Sequence, residues 1–197
     1  MAKQKGFLLV TMQPPPALED EFNEWYDAEH VPERLGVPGF ETARRYVCLS
    51  GWPRYLAFYD LASPQVILAP EYLRVGGENS SPWTKRVLRS VRGNYRATGA
   101  QLHPGQALSG RASRLVLLRF RGLAAAAGPA LLAGLKANFA GRPETAQLRL
   151  FASGSGGAHD FLALIEARAP YADARLDLAP FGRHAEALDL VNTYAPY

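Results

Sequence analysis

The sequence predicts an α+β chain made of two successive βαββαβ units whose antiparallel sheets face each other. Three observations carry that prediction. The order strand, helix, two strands, helix, strand can be read twice along the 197 residues. A turn-rich stretch with few large apolar residues, "HPGQALSGRAS" at 103–113, separates the two readings. The strands also carry apolar side chains at both parities, Phe7 and Leu9 alternating with Leu8 and Val10, so both faces of each sheet need cover.

The first unit opens with "GFLLVTM" at 6–12, a short apolar run suited to a buried strand, closed by Pro14 to Pro16. A helix follows. Glu19, Asp20 and Glu21 place negative charge at its positive end, and Leu18, Phe22, Trp25 and Tyr26 recur at helical spacing. Pro32 disfavours helical geometry at Val31, so this helix is expected to end near His30. "VPGF" then reads as a turn into "FETARRYVCL" and "RYLAFYDLA", a hairpin joined through "SGWP". Residues 64–90 read as two helical pieces, "PQVILAPEYLRV" and "SPWTKRVLRSV", interrupted by "GGENSSP", before a strand near "GNYRATGAQL".

After the linker the pattern restarts. "RLVLLRFRG" is a strand, "LAAAAGPALLAGLKANFAG" a helix, and "TAQLRLFAS" with "FLALIEARA" a hairpin around the glycine-rich "GSGGAHD". A helical stretch around 171–178 and a strand near "LVNTYAPY" complete the second unit. The expected division is therefore 1–102, a linker at 103–113, and 114–197. Each βαββαβ unit is ferredoxin-like, with both helices on one face of a four-stranded sheet. The second sheet can cover the face the first leaves bare, which gives an intrachain α+β barrel and a place for a small apolar ligand between the sheets.

Composition narrows the function. The net charge of +4 and pI near 9.3 allow an anionic ligand, but no long Lys/Arg run gives a nucleic-acid signature. The basic stretch Lys85, Arg86, Arg89, Arg92 and Arg96 reads as a solvated face or an anion site. Cys48 is the single cysteine, so no intrachain disulfide forms, and the environment argues for an inert thiol. His30, His103, His159 and His184 lack zinc-ligand spacing, so no metal is expected. The glycines of "GSGGAHD" lie in a hairpin rather than before a helix, which excludes a nucleotide loop; no Gly-x-Ser-x-Gly motif suggests a hydrolase. No apolar segment approaches a membrane span and no export signal is read, so a cytoplasmic protein is expected, with no nucleic-acid or membrane partner.

The run "EFNEWYDAEHVPERLGVPGF" carries a resemblance. Trp25, Tyr26, Asp27, Glu29, His30, Pro32, Pro38, Gly39 and Phe40, followed by a hairpin, resemble the EthD-like members of the dimeric α+β barrel superfamily. The resemblance covers about the first half; at the corresponding place the second half has "LLAGLKANFAG", so the motif occurs once per chain. It implies a single-chain version of a barrel that relatives build from two subunits. It does not imply one activity, because the superfamily includes isomerases, cyclases, monooxygenases, haem proteins and members without known catalysis.

The candidate site is built around the motif. His30, Tyr26 and Glu29 are the candidate catalytic group, with His30 as acid/base, its pKa raised by a helix C-terminus unless burial opposes it. Glu29 projects into an apolar stripe, where a carboxylate needs a donor or a raised pKa; it tunes His30, holds a proton, or pairs with Arg44 or Arg45. Tyr46, Tyr59 and Arg44, on the first hairpin, are the candidate ligand-binding residues. The expected function is binding of an apolar or aromatic, optionally carboxylated, small molecule, with cofactor-independent isomerisation, cyclisation or elimination as the enzymatic form. The alternative is a noncatalytic binding or accessory protein. No cofactor is required, haem is disfavoured because His30 is expected at the cavity rim, and a homodimer is compatible with the pattern.

Overall fold

The computed structural model describes residues 4–154, 157–173 and 175–197. Eight strands form one closed antiparallel barrel in the order β1-β3-β2-β8-β5-β7-β6-β4. They are β1 (Gly6–Gln13), β2 (Phe40–Ser50), β3 (Tyr55–Leu61), β4 (Arg92–His103), β5 (Arg114–Leu123), β6 (Thr145–Ser153), β7 (His159–Ala167) and β8 (Leu188–Pro196). β4-β1-β3-β2 and β8-β5-β7-β6 have the same internal order, so the α+β architecture is as expected. Closure is made by β2 with β8, where Cys48 faces Tyr194, and by β4 with β6, where Gln101 faces Phe151. Gly99 makes the second seam possible: a Cβ there would sit 2.0 Å from the carbonyl oxygen of Ala152.

Alternation on the strands sorts the side chains into layers. Phe7, Leu9, Tyr46, Leu56, Phe58, Ala97, Leu115, Leu117, Phe151, Leu162, Leu164 and Tyr194, drawn from all eight strands, fill the barrel. Phe7 and Phe58 both pack on Phe151, with ring centroids 4.9 and 5.3 Å apart. The space between the sheets, where the sequence predicts a small ligand, is thus filled by the chain's own side chains. The opposite parity packs outward: Leu8, Val10, Met12, Ala57 and Tyr59 under the helices of the first half, and Val116, Leu118, Phe161 and Ile165 under the second-half helix at Gly128–Phe139.

The first helix does not stop at His30. An α-helix (α1, Glu19–Trp25) continues through a π-turn (Tyr26–His30) into α2 (Val31–Leu35), with helical dihedrals at both His30 and Val31. The Val31 N–H reaches back to the carbonyl of Tyr26, five residues earlier. Pro32, the next residue, has no N–H to give, and the widened turn admits its ring, which a regular α-turn would not. The segment 64–73 is a 3₁₀ turn (Pro64–Leu68) and a single α-turn (α3, Pro70–Leu73), and α4 (Pro82–Ser90) opens at Ser81, whose Oγ accepts from the Thr84 N–H at 2.9 Å. The second-half helix, Gly128–Phe139, is α5. The helical stretch expected around 171–178 falls later, as 3₁₀ turns over Ala179–Ala187 that set Phe181 against α5; residue 174 lies outside the described residues. The "GSGGAHD" loop joins β6 to β7, with residues 155 and 156 outside the description. No helix among the described residues is long and apolar enough to cross a membrane.

Candidate functional site

A cavity of about 470 Å³ lies between the outward face of the first-half sheet and its helices. Its floor is Leu8, Val10, Met12 and Tyr59, its walls include His30, Arg34, Thr84 and Tyr72, and Asn94 and Arg96 reach it from β4. Leu68, Leu73 and Leu88 also line it and are exposed, which gives the entrance an apolar lip. Size and lining suit a small, largely apolar molecule held by a few polar groups.

The π-turn puts His30 in this wall. By bringing residues five apart into line, it packs the imidazole against Trp25 in a tilted arrangement, centroids 4.3 Å apart, with Tyr26 edge-on at 5.3 Å. Burial, aided by the Arg34 charge, lowers the pKa of His30 from 6.5 to about 3. No helix terminus raises it, because the helix runs on, and the imidazole is neutral. Among the described residues its Nδ1 is buried without a hydrogen-bond partner, as is the hydroxyl of Tyr59 on the floor, whose pKa burial pushes up. Arg34 is already engaged: both terminal nitrogens donate to the carbonyl of Val75 at 3.1 Å, and its guanidinium lies over the Tyr72 ring. Arg96 donates to the Tyr72 hydroxyl at 3.2 Å.

The other sequence candidates separate. Glu29 is half-buried and accepts from the hydroxyls of Ser81 at 2.5 Å and Thr84 at 3.0 Å, and Thr84 in turn accepts from the Trp25 indole at 2.9 Å. It therefore ties the π-turn to the start of α4, and pairs with neither Arg44 nor Arg45. Tyr26 is buried behind His30, with the Arg45 guanidinium 4.5 Å from its ring centre, and is not among the cavity-lining residues. Arg45 binds Asp27 at 2.6 Å and Asn23 at 2.5 Å. Tyr46 and Arg44 line a different cavity from Tyr59, and Tyr46 belongs to the opposite face of the sheet. Of the six candidates, His30 and Tyr59 share the cavity beneath the helices.

Sequence reasoning missed three charged residues. Arg149 is fully buried and donates to Asp60 at 2.6 Å, to Glu166 at 3.2 Å and to Ser109 at 2.7 Å. A signal exists in the sequence: "YLAFYDL", "AQLRLF" and "LIEA" each embed one charge in an apolar strand. Ser109 and Gly110 N–H groups donate to Asp60 and Glu166, so the expected linker closes one end of the barrel. Among the described residues, no group of three His, Cys, Asp or Glu could hold a metal ion.

Sequence comparison matches no protein-family model and no curated protein. Solved structures do match in shape. An anthrone oxidase-like protein superposes with a TM-score of 0.70 at 15% identity, covering 99% of this chain and 92% of that one. A protein assigned as a monooxygenase from Lactobacillus acidophilus NCFM gives 0.58 at 7% identity, over 99% and 94%. The chlorite dismutase of Candidatus Nitrospira defluvii in complex with imidazole gives 0.55 at 14%, over 100% and 93%. What these likenesses establish is the fold, an α+β barrel, closed here by the strands of one chain.

Proposed function

We propose that this chain binds an apolar, aromatic carbonyl or phenol compound in the cavity beneath the first-half helices and, as an enzyme, moves a proton next to the carbonyl without a cofactor. The observation that carries this reading is that His30 and Tyr59 both line the cavity and that each has a polar atom, His30 Nδ1 and the Tyr59 hydroxyl, buried without a partner among the described residues. Buried polar atoms without partners are costly, and a ligand that engages them recovers that cost. Neutral His30 is in the form needed to accept a proton. An imidazolium formed beside an enolate is stabilised by that opposite charge, which offsets the low basicity burial imposes. The Tyr59 hydroxyl donates to the carbonyl oxygen, and Arg34 and Arg96 contribute positive potential where the oxyanion forms.

The name of the anthrone oxidase-like neighbour supports an aromatic ketone as the type of ligand. The resemblance of the helix motif supports an EthD-like origin, with 1–102 as the unit that carries the site and 114–197 as a degenerate partner, in a cytoplasmic protein able to form a homodimer. A second reading, noncatalytic binding by the same cavity, is favoured by one observation: an imidazole with a pKa of about 3 is a weak base.

Anthrone in D₂O separates the two. Binding is followed by quenching of tryptophan fluorescence and proton transfer by exchange of the methylene hydrogens. The catalytic reading expects exchange that His30→Ala lowers by about 10²-fold or more while binding persists. Binding with no protein-dependent exchange in either form establishes the second reading, and no binding sinks both.

A further inference from the structure

The helix that carries His30 borders a second cavity with another of its faces. Asp27 and Val31 line it, together with Arg44 and Tyr46 of β2, Arg111 from the segment before β5, and Pro196 at the end of β8; its volume is about 480 Å³. It shares no lining residue with the His30 cavity. Arg45, also in its wall, is neutralised by Asp27 at 2.6 Å. Arg44 makes one weak hydrogen bond, 3.4 Å from Nη1 to the carbonyl of Ala43, and its Nε is buried without a partner. Arg111 is exposed and has no hydrogen bond or ion pair among the described residues.

The backbone that carries Arg111 is held in place. The two residues before it are fixed to buried carboxylates: the Ser109 N–H donates to Asp60 at 2.7 Å and the Gly110 N–H to Glu166 at 3.0 Å. Arg149 holds both carboxylates from inside the barrel. Asp60 and Glu166 are thus both taken up by Arg149, and neither Arg44 nor Arg111 has a carboxylate partner among the described residues. Unpaired arginines bind carboxylates well because the planar fork matches both oxygens. Val31, the Tyr46 ring and Pro196 supply apolar surface beside them.

We propose that this cavity is a second ligand site, built for a small organic carboxylate: the carboxylate meets Arg44 and Arg111, and the hydrocarbon part packs on Val31, Tyr46 and Pro196. The site does not depend on the chemistry assigned to His30, since none of its groups lines that cavity. Arg44 and Tyr46 then bind a ligand, but not the one His30 and Tyr59 bind.

Benzoate, with benzamide as its neutral counterpart, tests this by calorimetry at low salt on the full chain. The expected result is benzoate binding at least tenfold tighter than benzamide, weakened at least tenfold by Arg111→Gln and by Arg44→Gln, reduced by added sodium chloride and unaffected by Tyr59→Phe. Arg111 is exposed, so its variant keeps the fold even where Arg44→Gln lowers the melting temperature. Equal affinity for benzoate and benzamide overturns the proposal. So does the absence of benzoate binding, or benzoate binding that Arg111→Gln leaves unchanged and Tyr59→Phe alters, which would place the anion in the His30 cavity. Anthrone is neutral, so its binding reports on the other cavity separately.

Discussion

Arg149 donates to both Asp60, at 2.6 Å, and Glu166, at 3.2 Å, from a fully buried position on β6, with its guanidinium carbon 5.1 and 5.2 Å from the ring centres of Phe58 and Phe151. A buried ion triad of this kind contributes little net stability while intact, because desolvation offsets attraction, but is costly to break. Arg149→Met leaves two buried carboxylates facing each other and is expected to lose about 3–5 kcal/mol in urea denaturation. Adding Asp60→Asn and Glu166→Gln removes both charges while keeping acceptors for the Ser109 and Gly110 N–H groups, and is expected to restore at least half of the loss. A triple variant no more stable than Arg149→Met would show that packing of the guanidinium on the two phenylalanines, rather than charge, sets the cost.

His30 makes stability depend on pH in a defined direction. Its folded pKa, about 3, lies below the unfolded value of 6.5, so between these limits the unfolded chain binds a proton that the folded chain refuses. Stability from the neutral imidazole is complete above 6.5 and falls on acidification toward 3, by at most about 1.4 kcal/mol per pH unit. Between about pH 6.5 and about pH 4.5 the wild type is expected to lose about 2 kcal/mol more than His30→Gln, since carboxylates common to both cancel in the comparison. A difference between the two proteins that stays constant with pH would mean that His30 titrates normally in the folded state.

Tyr59 separates stability from binding. Its hydroxyl is buried and unpartnered, so Tyr59→Phe removes a desolvated group at no cost in hydrogen bonds and is expected to leave stability unchanged or raise it by about 1 kcal/mol. The same change is expected to weaken anthrone binding about tenfold, the worth of one hydrogen bond to a carbonyl. Lower stability in the variant, measured by thermal melting, would reveal a partner for the hydroxyl in solution.

The layout of the barrel is legible in the sequence because burial on both faces forces apolar residues at both parities, and Thr145–Ser153 of β6 coincides with the run "TAQLRLFAS". The site is less legible, for two physical reasons. Pro32 has the sequence signature of a helix terminator, but the π-turn before it absorbs both the missing N–H and the ring, and the imidazole moves from an exposed helix end into a buried wall. Tyr46 and Tyr59 look from the sequence like partners for one ligand. In the β2–β3 register Tyr46 lies opposite Leu56 and Tyr59 opposite Ala43, which sends the first into the barrel layer and the second beneath the helices. Hairpin register is the missing information, since a shift of one residue exchanges the two faces.

Glu29 belongs to the catalytic group expected from the motif, and under the proposed function its contacts would make it a residue that positions His30. It accepts hydrogen bonds from Ser81 and Thr84, and through Thr84 it reaches the indole of Trp25, against which His30 packs. An amide at this position keeps an acceptor for both hydroxyls, so Glu29→Gln is expected to leave anthrone binding and exchange within about twofold of wild type and to cost under about 1 kcal/mol. Glu29→Ala removes the acceptor, leaves two hydroxyls to find other partners, and is expected to cost about 1–3 kcal/mol while displacing His30 and lowering exchange in parallel. The decisive comparison is the amide. Loss of exchange in Glu29→Gln with its stability intact would mean that the carboxylate takes part in proton transfer, and the order of roles along the π-turn would have to be redrawn with Glu29 as the base and His30 as the group that orients the ligand.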